Sequence, residues 1–128
     1  KMNDGASIMA LTYYGSTRYM QSYNVMGVAK AALETSIRYL SVDMGDRGIR
    51  VNAISAGPMR TLAGAVINKS RKIYNYTIEN SPIKKPLSLE DIGKSSVYLM
   101  SDLSKGVTGE ILYVDHGYNN VGMSIQDL

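Results

Sequence analysis

The sequence predicts an α/β fold built on a parallel β-sheet. Three short apolar segments, 6–12, 49–56 and 110–115, are bounded by glycine or charged residues, as expected of strands that are buried on both faces. Longer segments with apolar residues at helical spacing lie between them. Strand, helix, strand, helices, strand is the order of a parallel sheet with helical crossovers.

The helices have recognisable boundaries. The first is predicted over 24–44, and Gly45 follows where a C-cap glycine belongs. A second is predicted over about 62–80. A third should begin at Ser88-Leu89-Glu90-Asp91, which resembles a capping box. The apolar positions of the first helix are Val25, Val28, Ala29, Ala32, Leu33, Ile37, Leu40 and Met44.

The domain organisation follows from the number of strands. A chain of 128 residues fills one modest core, and nothing in its composition argues for two domains. Three strands buried on both faces need neighbours, and a doubly wound domain normally has about six strands. We therefore expect 1–128 to be the C-terminal half of a single Rossmann-type doubly wound parallel sheet. The N-terminal half, with any glycine-rich loop, is expected to precede Lys1.

Composition excludes several classes of function. There is no cysteine, and the single His116 is too little for the usual zinc sites, so we expect no metal and interpret His116 as a turn residue. The 14 basic and 11 acidic residues are interspersed, which argues against nucleic-acid binding. No apolar run approaches the roughly 20 residues of a membrane span, and no signal segment is visible. A cytoplasmic location is expected.

Tyr23 and Lys30 form a candidate catalytic pair. They are seven residues apart, which on a helix places them within about 20° of one face and roughly 10 Å apart along the axis. The lysine side chain would lean toward the tyrosine, so one ligand could touch both groups. A nearby cation also favours ionisation of a phenol. Taken alone, the pair is better interpreted as an ordinary tyrosine at a helix start and a surface lysine.

The wider sequence resembles one family. The stretch Tyr23-Asn24-Val25-Met26-Gly27-Val28-Ala29-Lys30, a tyrosine ten residues earlier at Tyr13, and Ser55-Ala56-Gly57-Pro58-Met59-Arg60-Thr61-Leu62-Ala63 occur in order. Together they resemble the enoyl-acyl-carrier-protein reductases of bacterial type II fatty acid synthesis, a branch of the short-chain dehydrogenase/reductase superfamily. That branch places six residues between the tyrosine and the lysine, as here, whereas the wider superfamily places three. His116 and Met59 depart from the family's commonest residues, glycine and isoleucine.

The resemblance implies roles for these residues. Tyr23 would hydrogen-bond the thioester carbonyl while hydride passes from NADH to the β-carbon, and Lys30 would bind the nicotinamide ribose. Tyr13 would line the substrate site as a further catalytic residue. The implied cofactor-binding residues are Lys30, Gly57, Pro58, Met59, Arg60, Thr61, Leu62 and Ala63. The implied substrate-binding residues are Tyr13, Tyr23, Met26, Ala63, Gly64 and Ile67.

The resemblance also implies the partners. The substrate would be an enoyl thioester on acyl carrier protein, the cofactor NADH with NADPH not excluded, and the assembly a homotetramer. The segment 62–73 matches the family's substrate-binding loop, although an ordinary amphipathic helix remains open. Lys69, Arg71 and Lys72 are either a solvated helix face or a docking patch for the acidic carrier. Two alternatives to the enoyl reductase function remain. One is another short-chain reductase acting on a ketone or alcohol, and the other is a non-catalytic fragment of the fold.

Overall fold

The computed structural model describes residues 1–61 and 70–123. It contains a three-stranded parallel sheet in the order β1-β2-β3, which confirms the predicted α/β class. All three predicted strands are present, and the third helix begins at the predicted position. The elements are β1 Ser7–Thr12, α1 Val25–Asp43, β2 Arg50–Ala56, α2 Ser70–Asn80, α3 Leu89–Met100 and β3 Ile111–Val114.

Strand β2 lies in the centre of this sheet. It pairs with β1 at Ala10 and Ala53 and with β3 at Ala53 and Ile111. Residues 51–55 of β2 are all buried, as predicted for a strand covered on both faces. The same prediction is wrong for β1 and β3, which are mostly half-buried, and Leu11 of β1 is 50% exposed. The reason is that each lies at an edge of the described sheet and has one strand neighbour.

The two faces of β2 pack against different helices. Val51 and Ala53 contact Ile37 of α1 on one face, whereas Ile54 contacts α3 on the other. This alternation follows from the two-residue period of a strand. Burial of each large aliphatic side chain stabilises the fold by about 1.5–3 kcal/mol. Within the described ranges, no helix is both long enough and apolar enough to cross a membrane.

The ends of α1 and α3 are formed differently. The Ser88 hydroxyl of the predicted capping box accepts a hydrogen bond from the Asp91 N–H at 3.1 Å, and the Asp91 carboxylate accepts one from the Ser88 N–H at 2.9 Å. The expectation that Gly45 caps α1 is wrong. A short 3₁₀ turn, Gly45–Arg47, follows the helix, and the left-handed residue is Gly48, with φ of 65°. The extra turn moves the glycine-dependent position three residues along the chain.

Arg50, the first residue of β2, holds the C-terminal end of α3. Its guanidinium donates to the Leu99 carbonyl at 2.9 Å, the Ser104 hydroxyl at 2.8 Å and the Ser101 carbonyl at 3.0 Å. The Leu99 carbonyl lies in the last turn of α3, where a carbonyl has no hydrogen-bond partner within the helix. The start of the central strand is thereby bound to the end of the helix that packs against it.

Candidate active site

A cleft of about 180 Å³ opens at the carboxyl ends of β1 and β2. This edge is where ligands bind in open parallel sheets. The residues that follow the two strands form one side of the cleft, and the beginning of α2 forms the other. Its lining residues are Tyr13, Met20, Gln21, Tyr23, Gly57, Pro58, Met59, Thr61, Ser70, Ile73 and Tyr74.

Tyr13 and Tyr23 are in contact within this cleft. Their ring centroids are 5.0 Å apart, and the rings meet edge to face at 69°. Burial raises the pKa of Tyr13 well above its ordinary value of 10, and the neighbouring Tyr118 and Tyr23 phenols raise it further. Burial also raises the pKa of Tyr23. Both phenols are therefore protonated at neutral pH and able to donate hydrogen bonds.

Tyr23 lies in a turn before α1 and not on the helix. The helix begins at Val25, two residues later, so the expectation that Tyr23 and Lys30 share a helical face is wrong. Ser22 and Asn24, on either side of Tyr23, have φ values of 66° and 41°. Residues with positive φ cannot continue a right-handed helix, and they place the tyrosine ring against the end of β1 instead.

Two glycines allow the close packing around Tyr23. A Cβ on Gly15, in the short 3₁₀ turn Tyr14–Ser16, would lie 2.5 Å from Cδ1 of the Tyr23 ring. A Cβ on Gly27, in the first turn of α1, would lie 2.9 Å from the Gly15 carbonyl oxygen. Any side chain at either position would displace its neighbour. In the sequence, Gly15 is a lone glycine shortly after a strand. Such a glycine does not by itself indicate that the Tyr23 ring packs against it.

Lys30 reaches the end of β1 and does not line the cleft. Its Nζ atom donates to the Leu11 carbonyl at 2.8 Å. One turn further along α1, the buried carboxylate of Glu34 accepts a hydrogen bond from the Thr12 hydroxyl at 2.7 Å. Sequence reasoning missed Glu34, because a glutamate on a helix is normally exposed and only the tertiary packing buries this one.

The turn after β2 comes very close to the end of β3. A Cβ on Gly57 would lie 3.1 Å from Cα of Asp115, and the Gly57 N–H donates to the Val114 carbonyl at 2.9 Å. A side chain at position 57 would have to displace its neighbours by a few tenths of an ångström. Pro58, the next residue, lines the cleft. His116, which follows Asp115, lies in a turn with φ of 57°, and its Nδ1 is 2.9 Å from the Lys85 carbonyl oxygen. The prediction that it is a turn residue is confirmed.

Of the remaining residues expected at the site, some line the cleft, some lie outside it and some lie outside the described residues. Thr61 lines the cleft, whereas the Arg60 guanidinium lies 5.1 Å from the centroid of the Tyr74 ring and Met26 is about half-exposed outside the lining. Leu62, Ala63, Gly64 and Ile67, like Lys69, lie outside the described residues. Ser70 and Ile73, which line the cleft, belong to the segment 62–73 that the resemblance implied as the substrate-binding loop. The sequence did not single out Met20, Gln21 and Tyr74.

Comparison with known proteins identifies the family. The family model described as Enoyl-(Acyl carrier protein) reductase matches residues 1–119. The chain is 60% identical over 126 residues to Enoyl-[acyl-carrier-protein] reductase [NADH] 1 of Rhizobium meliloti (strain 1021), covering 98% of this chain and 46% of that protein.

Solved structures agree with this match. The crystal structure of FabI from Candidatus Liberibacter asiaticus has a TM-score of 0.88 and 58% identity, covering 91% of this chain and 45% of that one. The enoyl-(acyl-carrier-protein) reductase of Anaplasma phagocytophilum, solved in complex with NAD, has a TM-score of 0.87 and 52% identity, covering 92% and 45%. The chain thus spans about half the length of the relatives it matches. It belongs to the enoyl-(acyl carrier protein) reductase family and forms the C-terminal half of the family's Rossmann-type fold.

Proposed function

We propose that the full-length protein is an NADH-dependent enoyl-acyl-carrier-protein reductase, which catalyses the last step of the fatty acid elongation cycle. The observation that carries the proposal is the contact between the Tyr13 and Tyr23 rings in one cleft with the turn after β2. Relatives with 60% identity carry this name, and one related structure holds NAD. In this proposal, residues 1–128 are the C-terminal part of a single NAD-binding domain.

Tyr23 is the proposed hydrogen-bond donor to the substrate. Transfer of hydride to the β-carbon of an enoyl thioester shifts an electron pair onto the carbonyl oxygen, which gains negative charge as an enolate. A donor placed at such an oxygen accelerates the reaction by about 10²–10³. The raised pKa of Tyr23 suits this role because the proton stays on the phenol. Tyr13, in edge contact with that ring, would line the site and assist proton delivery to the α-carbon.

The residues present fit the nicotinamide half of the cofactor, which supplies the hydride when bound. Gly57, Pro58, Met59 and Thr61 line the cleft, so the turn after β2 is accessible from it. Lys30 uses one N–H on the Leu11 carbonyl and carries two further donors for the ribose hydroxyls. Residues 57–61, with Leu62 and Ala63, are assigned to the carboxamide and pyrophosphate. The adenosine half, and with it the choice between NADH and NADPH, depends on residues outside this chain.

The decisive experiment measures NADH oxidation by the full-length protein with a crotonyl thioester. We expect Tyr23→Phe to lower kcat by about 10²–10³ while the Kd of NADH changes by less than about threefold. Lys30→Ala should weaken NADH binding more than Tyr23→Phe does, because only the lysine is assigned to the ribose. Tyr98→Phe, on α3 and away from the cleft, is the matched control. Turnover of simple ketones without turnover of enoyl thioesters would instead favour another short-chain reductase.

We also propose that acyl carrier protein docks at the basic residues of α2. Arg71 and Lys72 are exposed, and Lys72 lines a second cleft of about 540 Å³. That cleft shares Met20, Gln21 and Ile73 with the tyrosine cleft, so it leads toward the candidate catalytic residues. Oppositely charged surfaces increase association rates and fix orientation.

Charge reversal tests the docking surface. Arg71→Glu with Lys72→Glu should raise KM for the carrier-bound substrate by roughly tenfold at low salt and leave KM for a crotonyl thioester without carrier nearly unchanged. Lys94→Glu on α3 serves as the control. Equal kinetics with carrier-bound substrate in all three proteins would contradict this surface.

The proposed assembly is a homotetramer in the cytoplasm. Helix α1 exposes apolar side chains along one side, and Val25, Val28, Tyr39 and Val42 are each more than 70% exposed. An exposed apolar stripe of this kind marks a protein–protein interface. Sedimentation of the full-length protein should give about four times the protomer mass. A monomer would contradict the assembly, and recovery in a membrane fraction would contradict the location.

A further inference from the structure

Three successive residues at the end of β1 are bound to the region around α1. The Leu11 carbonyl accepts from Lys30, the Thr12 hydroxyl donates to Glu34, and the Tyr13 ring contacts Tyr23. Lys30 and Glu34 are one helical turn apart, so both reach the same strand end from one helix. Of these three contacts, only the one between Thr12 and Glu34 joins two side chains that have no role in the proposed reaction.

The carboxylate of Glu34 is isolated from solvent. Glu34 is 3% exposed and Thr12 is 4% exposed. Burial of a carboxylate is unfavourable unless hydrogen bonds satisfy it, and the 2.7 Å contact with Thr12 has the ordinary length of an O–H···O hydrogen bond. In 1–61 and 70–123, no cationic side chain forms a salt bridge with this carboxylate. In that part of the chain, the Thr12 hydroxyl is therefore the hydrogen-bond donor to this carboxylate.

We propose, on the basis of the function above, that Glu34 is a positioning residue which acts through Thr12 to fix the backbone that presents Tyr13 to Tyr23 and the enoyl group. Tyr13 follows Thr12 directly and has extended backbone angles, φ of −151° and ψ of 147°. A displacement of Thr12 is consequently transmitted to the Tyr13 ring. Lys30 contacts the same strand end and is also assigned to the ribose of the cofactor. Glu34 contacts the strand through Thr12 and has no assigned role in cofactor binding.

Thr12→Val in the full-length protein is the first test, since valine keeps the shape of threonine and removes the donor. We expect kcat with a crotonyl thioester to fall about tenfold while the Kd of NADH stays within about twofold, because small displacements of reacting groups mainly affect the chemical step. Thr12→Ser restores the hydroxyl and should recover most of the lost kcat. In a crystal structure of Thr12→Val, the Tyr13 and Tyr23 ring centroids should separate by about 1 Å or more relative to wild type.

Substitutions at Glu34 separate the hydrogen bond from the charge. Glu34→Gln keeps an oxygen that accepts from Thr12, so kcat should remain within about threefold of wild type, whereas Glu34→Leu should match Thr12→Val. Ser41→Ala is the matched control. Ser41 is also buried on α1, but its hydroxyl donates to the Arg38 carbonyl within the helix.

Two outcomes would overturn the inference. One is a Thr12→Val enzyme with kcat within about twofold of wild type, and the other is a parallel loss of kcat and NADH affinity without rescue by serine. If the wild-type protein reduces no enoyl thioester, the proposed function is wrong, but the positioning role can still be tested. The test is then the distance between the Tyr13 and Tyr23 rings in the crystal structures. Unchanged contact between Tyr13 and Tyr23 in the Thr12→Val crystal structure would then reject the positioning role.

Discussion

Helices α1 and α3 begin in contrasting ways. Helix α3 begins with a reciprocal capping box between Ser88 and Asp91, two residues that are close in sequence. Helix α1 begins without a side-chain cap, after Asn24 with φ of 41°, and with the Tyr23 ring held against Gly15. The helix remote from the candidate site is therefore started by local sequence, and the helix at the site by tertiary contacts.

The difference has an energetic basis. Ser22 and Asn24 both adopt positive φ, and a residue other than glycine held in a sparsely populated backbone region costs on the order of 1–3 kcal/mol. Such strained residues persist where the surrounding structure fixes them, and they concentrate at functional sites. At the start of α1 the strain directs Tyr23 toward Tyr13 and away from the helix. Local stability is thus lower at the helix start that carries the candidate chemistry.

Of the substitutions that test the contrast between the two helix starts, Gly15→Ala should have the largest effect. The added Cβ would meet the Tyr23 ring at 2.5 Å and force the ring to move, so kcat should fall by about 100-fold. Steady-state NADH oxidation measures this loss. Gly93→Ala in α3 is the control, because its Cβ would meet nothing within 4 Å, and it should keep kcat and add up to about 1 kcal/mol of stability. Full activity in Gly15→Ala would show that the close packing of Tyr23 is dispensable.

A smaller effect is expected at the start of α3. Ser88→Ala removes the cap and should lower the free energy of unfolding by about 1 kcal/mol, measured by urea denaturation, while kcat stays unchanged. Ser88→Thr keeps a capping hydroxyl and should recover most of the stability. The contrast between the helices would break down if Ser88→Ala reduced kcat as strongly as Gly15→Ala.

The smallest effect is the acid dependence of this cap. Hydrogen bonds from the Ser88 hydroxyl and N–H hold the pKa of Asp91 below its ordinary value of 3.8. Because the folded pKa is depressed, the stabilisation is fully present above the unfolded pKa and is lost as the pH falls through the folded value. The stability difference between wild type and Ser88→Ala should therefore be constant above about pH 5 and decrease below about pH 4. A difference that persists unchanged to about pH 2 would contradict the role of Asp91.

The fold was largely predictable because its signals are local. Apolar periodicity indicated three strands and the helices between them, and the capping box located the start of α3. Two features depend on the environment and were missed. Gly48, and not Gly45, has positive φ because a 3₁₀ turn intervenes, and Leu11 is exposed because β1 lies at an edge of the described sheet.

The candidate site was predictable only in part. Tyr13, Tyr23 and the turn beginning at Gly57 lie in one cleft, as the motifs predicted. This follows because parallel strands β1 and β2 end at the same edge of the sheet. The position of Lys30 on the Leu11 carbonyl was not foreseen, since it follows from how α1 lies against β1. On the opposite wall, Ile73 belongs to the segment 62–73 that the resemblance related to the substrate site, whereas the position of Tyr74 was not foreseen.

The contacts of Arg50 bear on how the chain folds. The Leu99 carbonyl at the end of α3 accepts from Arg50, 49 residues earlier, as well as from Ser7 and Ser104. The beginning of the helix needs only residues three apart. In an isolated peptide spanning 86–104, the last turn should therefore fray more than the first, since the Leu99 carbonyl would keep the Ser104 hydroxyl but lose Arg50 and Ser7. Closing so long a loop carries an entropic cost that is recovered only when β2 and α3 pack together. Helix α3 and strand β2 should accordingly become protected from hydrogen exchange together.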